Sequence, residues 1–100
     1  MTARRHGQNT ELREGQLVLI TGIARDREGG WQNSWNESEM TPVVGMVGWL
    51  RHFGASDGHR VYTRRPGHSW DSYCYPDFVL TPVSERAFTQ DEARALLEAQ

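Results

Sequence analysis

The sequence contains no lysine; all eleven basic residues are arginine. That removes Schiff-base chemistry and a lysine general base from consideration. Cysteine occurs once, at Cys74, so neither an internal disulfide nor a four-cysteine zinc site can form. Long apolar runs are also missing. The longest, "LVLI" at Leu17 to Ile20, falls far short of the roughly 20 residues that a membrane-spanning helix needs. The opening, "MTARRHGQNTELREG", has a pair of arginines, Arg4 and Arg5, with no apolar stretch after them and does not read as a secretory signal. A cytoplasmic protein is expected. The chain lacks an overall positive field as well, with a formal net charge of -2, which disfavours a role in coating nucleic acid.

What remains is enough for one small domain. A chain of 100 residues builds a single modest core, and without disulfides it must stand on packing alone. Charge is unevenly spread. Residues 51–68 hold four arginines and three histidines against one aspartate, whereas the tail from Glu85 is acidic.

Residues 1–14 are polar and without periodicity, which predicts a flexible N-terminal arm. After Gly15, "QLVLITGIA" is apolar and rich in β-branched residues, and it is interrupted at Gly22, so it predicts a strand rather than a helix. The next segment, "RDREGGWQNSWNESEMTP", is a long polar connection carrying Trp31 and Trp35. Two tryptophans argue against simple disorder and for a functional loop. "VVGMVGWLRHF" from Val43 to Phe53 predicts a second strand, with Gly45 and Gly48 marking a bulge or bend. "HRVYTRR" and "WDSYCY" predict a third and fourth, separated by the turn chemistry of "GASDG" and "PGHS". Pro76 stops the pairing, "PDF" makes one helical turn, and "VLTPV" supplies a short last strand. At the end, Thr89 and Glu92 match a capping box, Phe88 and Ala93 a hydrophobic staple, and Ala93, Leu96 and Leu97 an apolar stripe. A helix over 90–99 follows, too short to stand without docking on something.

This order of elements, with a long loop after the first strand and a proline-led turn before the last, resembles an SH3-like barrel. "YPDFVLTPV" is similar to the segment that closes such barrels. "W-N-E-S-E-M-T-P-V-V-G-M-V-G-W" looks like the start of phage-encoded and Mind-bomb-type barrels, with Trp35, Met40, Gly45 and Gly48 at the tryptophan, methionine and glycine positions. The resemblance covers residues 15–83. It implies a mainly β fold, a five-stranded SH3-like barrel, and a non-catalytic binding module; residues 84–100 follow it as a C-terminal segment whose short α-helix packs on the barrel or a partner. The first long loop lacks the acidic run of peptide-binding SH3 domains, which points away from proline-rich ligands.

Strand alternation across an even-length loop, of two or four residues, sorts the third and fourth strands. Arg60, Tyr62, Arg64, Asp71, Tyr73 and Tyr75 share one face, and Val61, Thr63, Trp70, Ser72 and Cys74 share the other. The second set is apolar enough to be core, leaving arginines and tyrosines outward together, as in binding hot spots. An odd loop would reverse the assignment. With Trp31 from the long loop, the candidate binding residues are Trp31, Arg60, Tyr62, Arg64, Tyr73 and Tyr75.

Three functions compete. Recognition of a protein partner leads, with a phage or mobile-element factor acting on a host protein as one form of it. RNA or single-stranded DNA could instead be held by Arg64, Arg65 and the tyrosines. A small thiol- or histidine-dependent enzyme would need Cys74 exposed beside His52, His59 or His68, and alternation turns that thiol inward. The same histidines lack a paired ligand motif with Cys74, so no metal site and no cofactor are expected. "GMVG" lacks the lysine and helix of a phosphate loop.

Overall fold

The computed structural model describes residues 4–100. Five strands, β1 (Leu17–Ile20), β2 (Val47–His52), β3 (His59–Thr63), β4 (Asp71–Tyr75) and β5 (Leu80–Pro82), form one antiparallel sheet in the order β4-β3-β2-β1-β5. The two edge strands, β4 and β5, are not paired with each other, so hydrogen bonding leaves the sheet open. Two helices accompany it, α1 (Glu37–Met40) in the long loop and α2 (Gln90–Leu97) at the C-terminus. Among the described residues no helix is long and apolar enough to cross a membrane.

Period-2 alternation gives β1 and β2 apolar residues on both faces, and the fold covers both. Val18, Ile20, Leu50 and Val61 point to the main core, where Leu12, Trp31, Met40, Val43, Tyr75, Val79 and Leu80 meet them. On the opposite face Trp49 gathers Ala93 and Leu97 of α2, with Leu17, Val47, Tyr62, Trp70 and Phe88 around them. The predicted strand from Val43 starts later because Thr41–Val43 winds into a 3-10 turn and Gly45, at φ +90°, turns the chain into β2. Gly48 serves close approach, since a Cβ there would lie 2.5 Å from Val61 Cγ1. The bulge predicted at the glycines sits instead between Leu50 and His52, opposite Val61 and Arg60, and it re-aims Arg51.

The helical turn at "PDF" forms as Asp77–Val79, directly ahead of β5. Helix α2 is capped as expected: Thr89 Oγ1 accepts the Glu92 N–H at 3.2 Å and Glu92 Oε1 accepts the Thr89 N–H at 2.9 Å. Those contacts, with an Arg86 partner, hold the Glu92 carboxyl below its usual range. Its apolar stripe docks on β2 through Ala93 and Leu97, while Leu96 stays exposed.

The expected flexible arm needs correction over residues 4–14; residues 1–3 lie outside the described residues. Arg4 grips Glu28 with two hydrogen bonds of 2.9 and 3.0 Å, and that grip, first among its causes, lowers the Glu28 pKa. The N–H groups of Gly7 and Asn9 donate to Asp77 Oδ2 at 2.8 and 3.0 Å, and Asn9 Nδ2 donates to the carbonyls of Asp77 and Leu80. Leu12 is buried in the main core. A polar segment with no periodicity is thus anchored by one carboxylate some 70 positions away, which no local pattern reveals.

Candidate functional site

The third and fourth strands pair with Thr63 opposite Asp71, so the connecting loop is the seven residues 64–70. An odd loop reverses the expected faces. Arg60 stands opposite Cys74 and Tyr62 opposite Ser72 on the outer side, while Val61 pairs with Tyr73 and His59 with Tyr75 on the inner side. The loop is long because Arg64 and Arg65 leave the ladder: Arg65 Nη2 reaches Glu39 Oε2 of α1 at 3.3 Å, and the His68 N–H closes a turn on the Arg65 carbonyl.

Two of the six candidate binding residues are therefore core. Trp31 is fully buried, its Nε1 donating to the Asp57 carbonyl at 2.9 Å, and Tyr75 is fully buried beneath the edge of Trp35, ring centroids 5.8 Å apart. Tyr73 is half-buried at the margin of the main core, where burial and Asp71 push its phenol upward. The remaining three lie elsewhere, Tyr62 and Arg60 on the outer side and Arg64 in the loop. Tyr62 packs edge-on against Trp49 at 6.1 Å, Arg60 is exposed and donates to Ser72 Oγ at 2.9 Å, and Arg64 is half-buried at the start of the loop.

Tyr75 carries a cost. Its hydroxyl is buried with no hydrogen-bond partner among the described residues, and burial drives its pKa far above the ordinary value. Replacing Tyr75 with phenylalanine removes an unsatisfied polar atom and keeps the ring, so Tyr75→Phe is expected to stabilise the fold by about 1 kcal/mol. A higher urea midpoint at unchanged m-value would show it; a lower midpoint would mean that the hydroxyl is satisfied in solution.

On the outer face, what sequence reasoning placed inward now joins the surface. Trp70 is half-buried against α2 with the Arg94 guanidinium 5.5 Å above its ring, and the Arg51 guanidinium lies 6.0 Å from the rings of both Trp49 and Tyr62. Trp49, Tyr62, Trp70, Gln90, Ala93 and Arg94 line a shallow pocket of about 80 Å³ between α2 and the sheet. Trp49 itself is nearly covered, its Nε1 held by the carbonyls of Gly15 and Phe88 at 3.0 Å each.

Cys74 is half-buried on this outer face, across the strand from Arg60 and on the side away from His59. Burial raises its pKa, against a smaller lowering by Arg60, so less of it is thiolate at neutral pH than in an ordinary thiol. Labelling by a disulfide reagent at pH 7.5 should run slower for Cys74 than for N-acetylcysteine. Faster labelling would revive a nucleophilic role.

Elsewhere the structure assembles a cluster that sequence reasoning missed. His6, His59 and Asp77 bring three potential ligand atoms within 4.8 Å of one another at the floor of a cleft of about 320 Å³, walled by Phe53, Gly54, Ala55 and Ser56. The His59 ring stacks on Phe53 at 4.1 Å and lies 5.2 Å from the His6 ring. Burial, then the neighbouring His6, lowers its pKa. His6 lay in the presumed arm and Asp77 in a turn read only for its proline. No spacing links residues 6, 59 and 77; only the docking of the N-terminal segment does.

No known protein family, no curated protein and no solved structure matches this chain.

Proposed function

We propose that the protein is a non-catalytic binding module, with the arrangement of an SH3-like barrel, that recognises an acidic segment of a protein partner on its outer face beside α2. The strand order β5-β1-β2-β3-β4, with a proline-led turn between β4 and β5, supports the barrel reading. One observation carries the function: Arg51, Arg60 and Arg94 are all exposed around the Trp49–Tyr62–Trp70 row, with a pocket sized for one small apolar side chain at its centre. Arginines around an aromatic floor are the composition of interface hot spots, and three cations on one face favour an anionic partner.

The rings also discriminate between partners. Base recognition on single strands needs open aromatic faces for stacking. Here Trp49 is covered, Tyr62 meets it edge-on and Trp70 lies under Arg94, so the face offers charge and one pocket more than a stacking platform. That favours peptide over nucleic acid.

The test is a binding titration of two fluorescent probes, an Asp/Glu-rich peptide with one central leucine and a single-stranded oligonucleotide. The peptide should bind more tightly than the oligonucleotide at physiological salt, and the Arg51→Glu/Arg60→Glu/Arg94→Glu variant should lose at least about tenfold in peptide affinity. Tighter oligonucleotide binding with a steep salt dependence would transfer the face to nucleic acid. Equal peptide affinity of variant and native protein would remove the face from the function altogether.

A further inference from the structure

The geometry points to a binding site for a zinc-class divalent ion at His6, His59 and Asp77, independent of the peptide-binding face on the other side of the sheet. Backbone contacts orient His6 and Asp77, and one polar atom of Asp77 and one of His59 are buried without a hydrogen-bond partner among the described residues. His6 Nε2 lies 2.7 Å from the Ala55 carbonyl, which can only accept, so Nε2 carries the proton and Nδ1 the lone pair. The Asp77 N–H, which can only donate, points at that Nδ1 from 3.0 Å and confirms the tautomer. Asp77 Oδ2 accepts the N–H groups of Gly7 and Asn9, while Oδ1 is buried without a hydrogen-bond partner among the described residues. His59 is 3% exposed, and its Nδ1 is buried with no hydrogen-bond partner among the described residues.

Two buried polar atoms without partners in one small cluster demand an explanation, because such groups are nearly always satisfied. A cation satisfies both at once. His6 Nδ1 and Asp77 Oδ1 already stand 3.5 Å apart. A tetrahedral zinc site with bonds of about 2.0–2.2 Å separates its ligands by roughly 3.3–3.5 Å, so that pair already has the required spacing, and His59, within 4.8 Å of both, must close in by at most about 1.5 Å. The Asp77 N–H would give up its bond to His6 Nδ1 in exchange.

Donor chemistry selects the ion. Two imidazoles and one carboxylate suit zinc and its first-row neighbours, whereas magnesium and calcium take oxygen ligands. A carbonyl behind the ligating His6 ring is the usual outer support of a metal-bound histidine, holding its tautomer and orientation. Three protein ligands leave the fourth position towards the cleft, where water or a small anionic ligand can reach it. Each ligand comes from a different part of the chain: the N-terminal segment, the start of β3 and the turn before β5. An ion bound there would tie those parts together.

The experiment titrates metal-stripped protein with zinc chloride by calorimetry, and with cobalt chloride by visible absorption. One equivalent should bind, cobalt should give the intense bands of a four-coordinate site, and saturating zinc should raise Tm by roughly 5–10 °C. His59→Gln and Asp77→Asn should each weaken zinc by at least about tenfold, and His52→Ala/His68→Ala should not. Should either site variant fail to fold, the native protein still decides: in an imidazole nitrogen spectrum zinc must shift His6 and His59 and spare His52 and His68. Absence of stoichiometric binding, retention of full affinity in the two site variants, or shifts confined to His52 and His68 would each overturn the site.

Discussion

Trp31→Ala is expected to cost about 3–5 kcal/mol of folding stability, the range for truncating a fully buried tryptophan. For a domain of this size, with a total of roughly 5–15 kcal/mol, that is between about a fifth of the stability and all of it. The loss should come from packing. Trp31 sits in the main core at 0% exposure, and the carbonyl that its Nε1 serves, Asp57, also accepts from Asn33 Nδ2 at 3.2 Å, so removal of the indole does not orphan it. Trp31→Phe keeps most of the ring and gives up one hydrogen bond, so it should cost only about 1–2 kcal/mol. Urea unfolding followed by circular dichroism separates the two variants. Were Trp31→Ala no worse than Trp31→Phe, the indole would not be the keystone of the long loop, and a surface role for Trp31 would return.

The large effect at Trp31 bears on why part of the site was legible in the sequence and part was not. Strands, turns and the cap of α2 rest on signals within a few residues: β-branched runs broken at glycines, "PDF" before "VLTPV", and Thr89 with Glu92. Each of these formed within a few residues of where local chemistry placed it, β2 starting at Val47 rather than Val43. Which side of a strand faces the core is a different matter, because it depends on the parity of a loop. Glu39 of α1 draws Arg65 out of the ladder, and that single ion pair accompanies the switch from an even loop to the seven residues 64–70. Tyr75 and Cys74 exchanged faces as a result. Trp31 was misread for a related reason: a tryptophan in a polar loop looks the same in sequence whether it lines a groove or folds under the loop into the core.

The cluster of His6, His59 and Asp77 lay further out of reach. Its geometry needs the N-terminal segment to dock, and the docking rests on backbone N–H groups of Gly7 and Asn9 finding one aspartate oxygen. Backbone donors carry no side-chain signature, so composition and periodicity are silent about them. Sequence reasoning expected arginines and tyrosines outward together, and the members differ: Arg60 and Tyr62 are outward, Arg51, Arg94, Trp49 and Trp70 stand with them, and Trp31, Tyr73 and Tyr75 are on the core side.

Gly58→Ala is expected to be nearly as damaging as Trp31→Ala, for a reason of backbone rather than volume. Gly58 has φ +102°, where a residue with a Cβ is strained by about 1–3 kcal/mol. Space is lacking as well, since the added Cβ would stand 2.6 Å from the Tyr75 carbonyl oxygen and 2.7 Å from Trp31 Nε1. The first of these neighbours is backbone of β4 and cannot turn aside. Relief would require moving the start of β3, where His59 pairs with Tyr75, and with it the wall of the histidine cleft. Gly67→Ala supplies the control, because Gly67 has φ +80° and a Cβ there meets nothing within 4 Å. Both substitutions pay for positive φ; only Gly58→Ala pays for contact. The difference in unfolding free energy between them should exceed about 2 kcal/mol, as overpacking of a filled interior does. Equal costs would show that β3 and β4 can part at this point, and the close approach of Gly58 to Trp31 would then be no constraint on how the long loop is held.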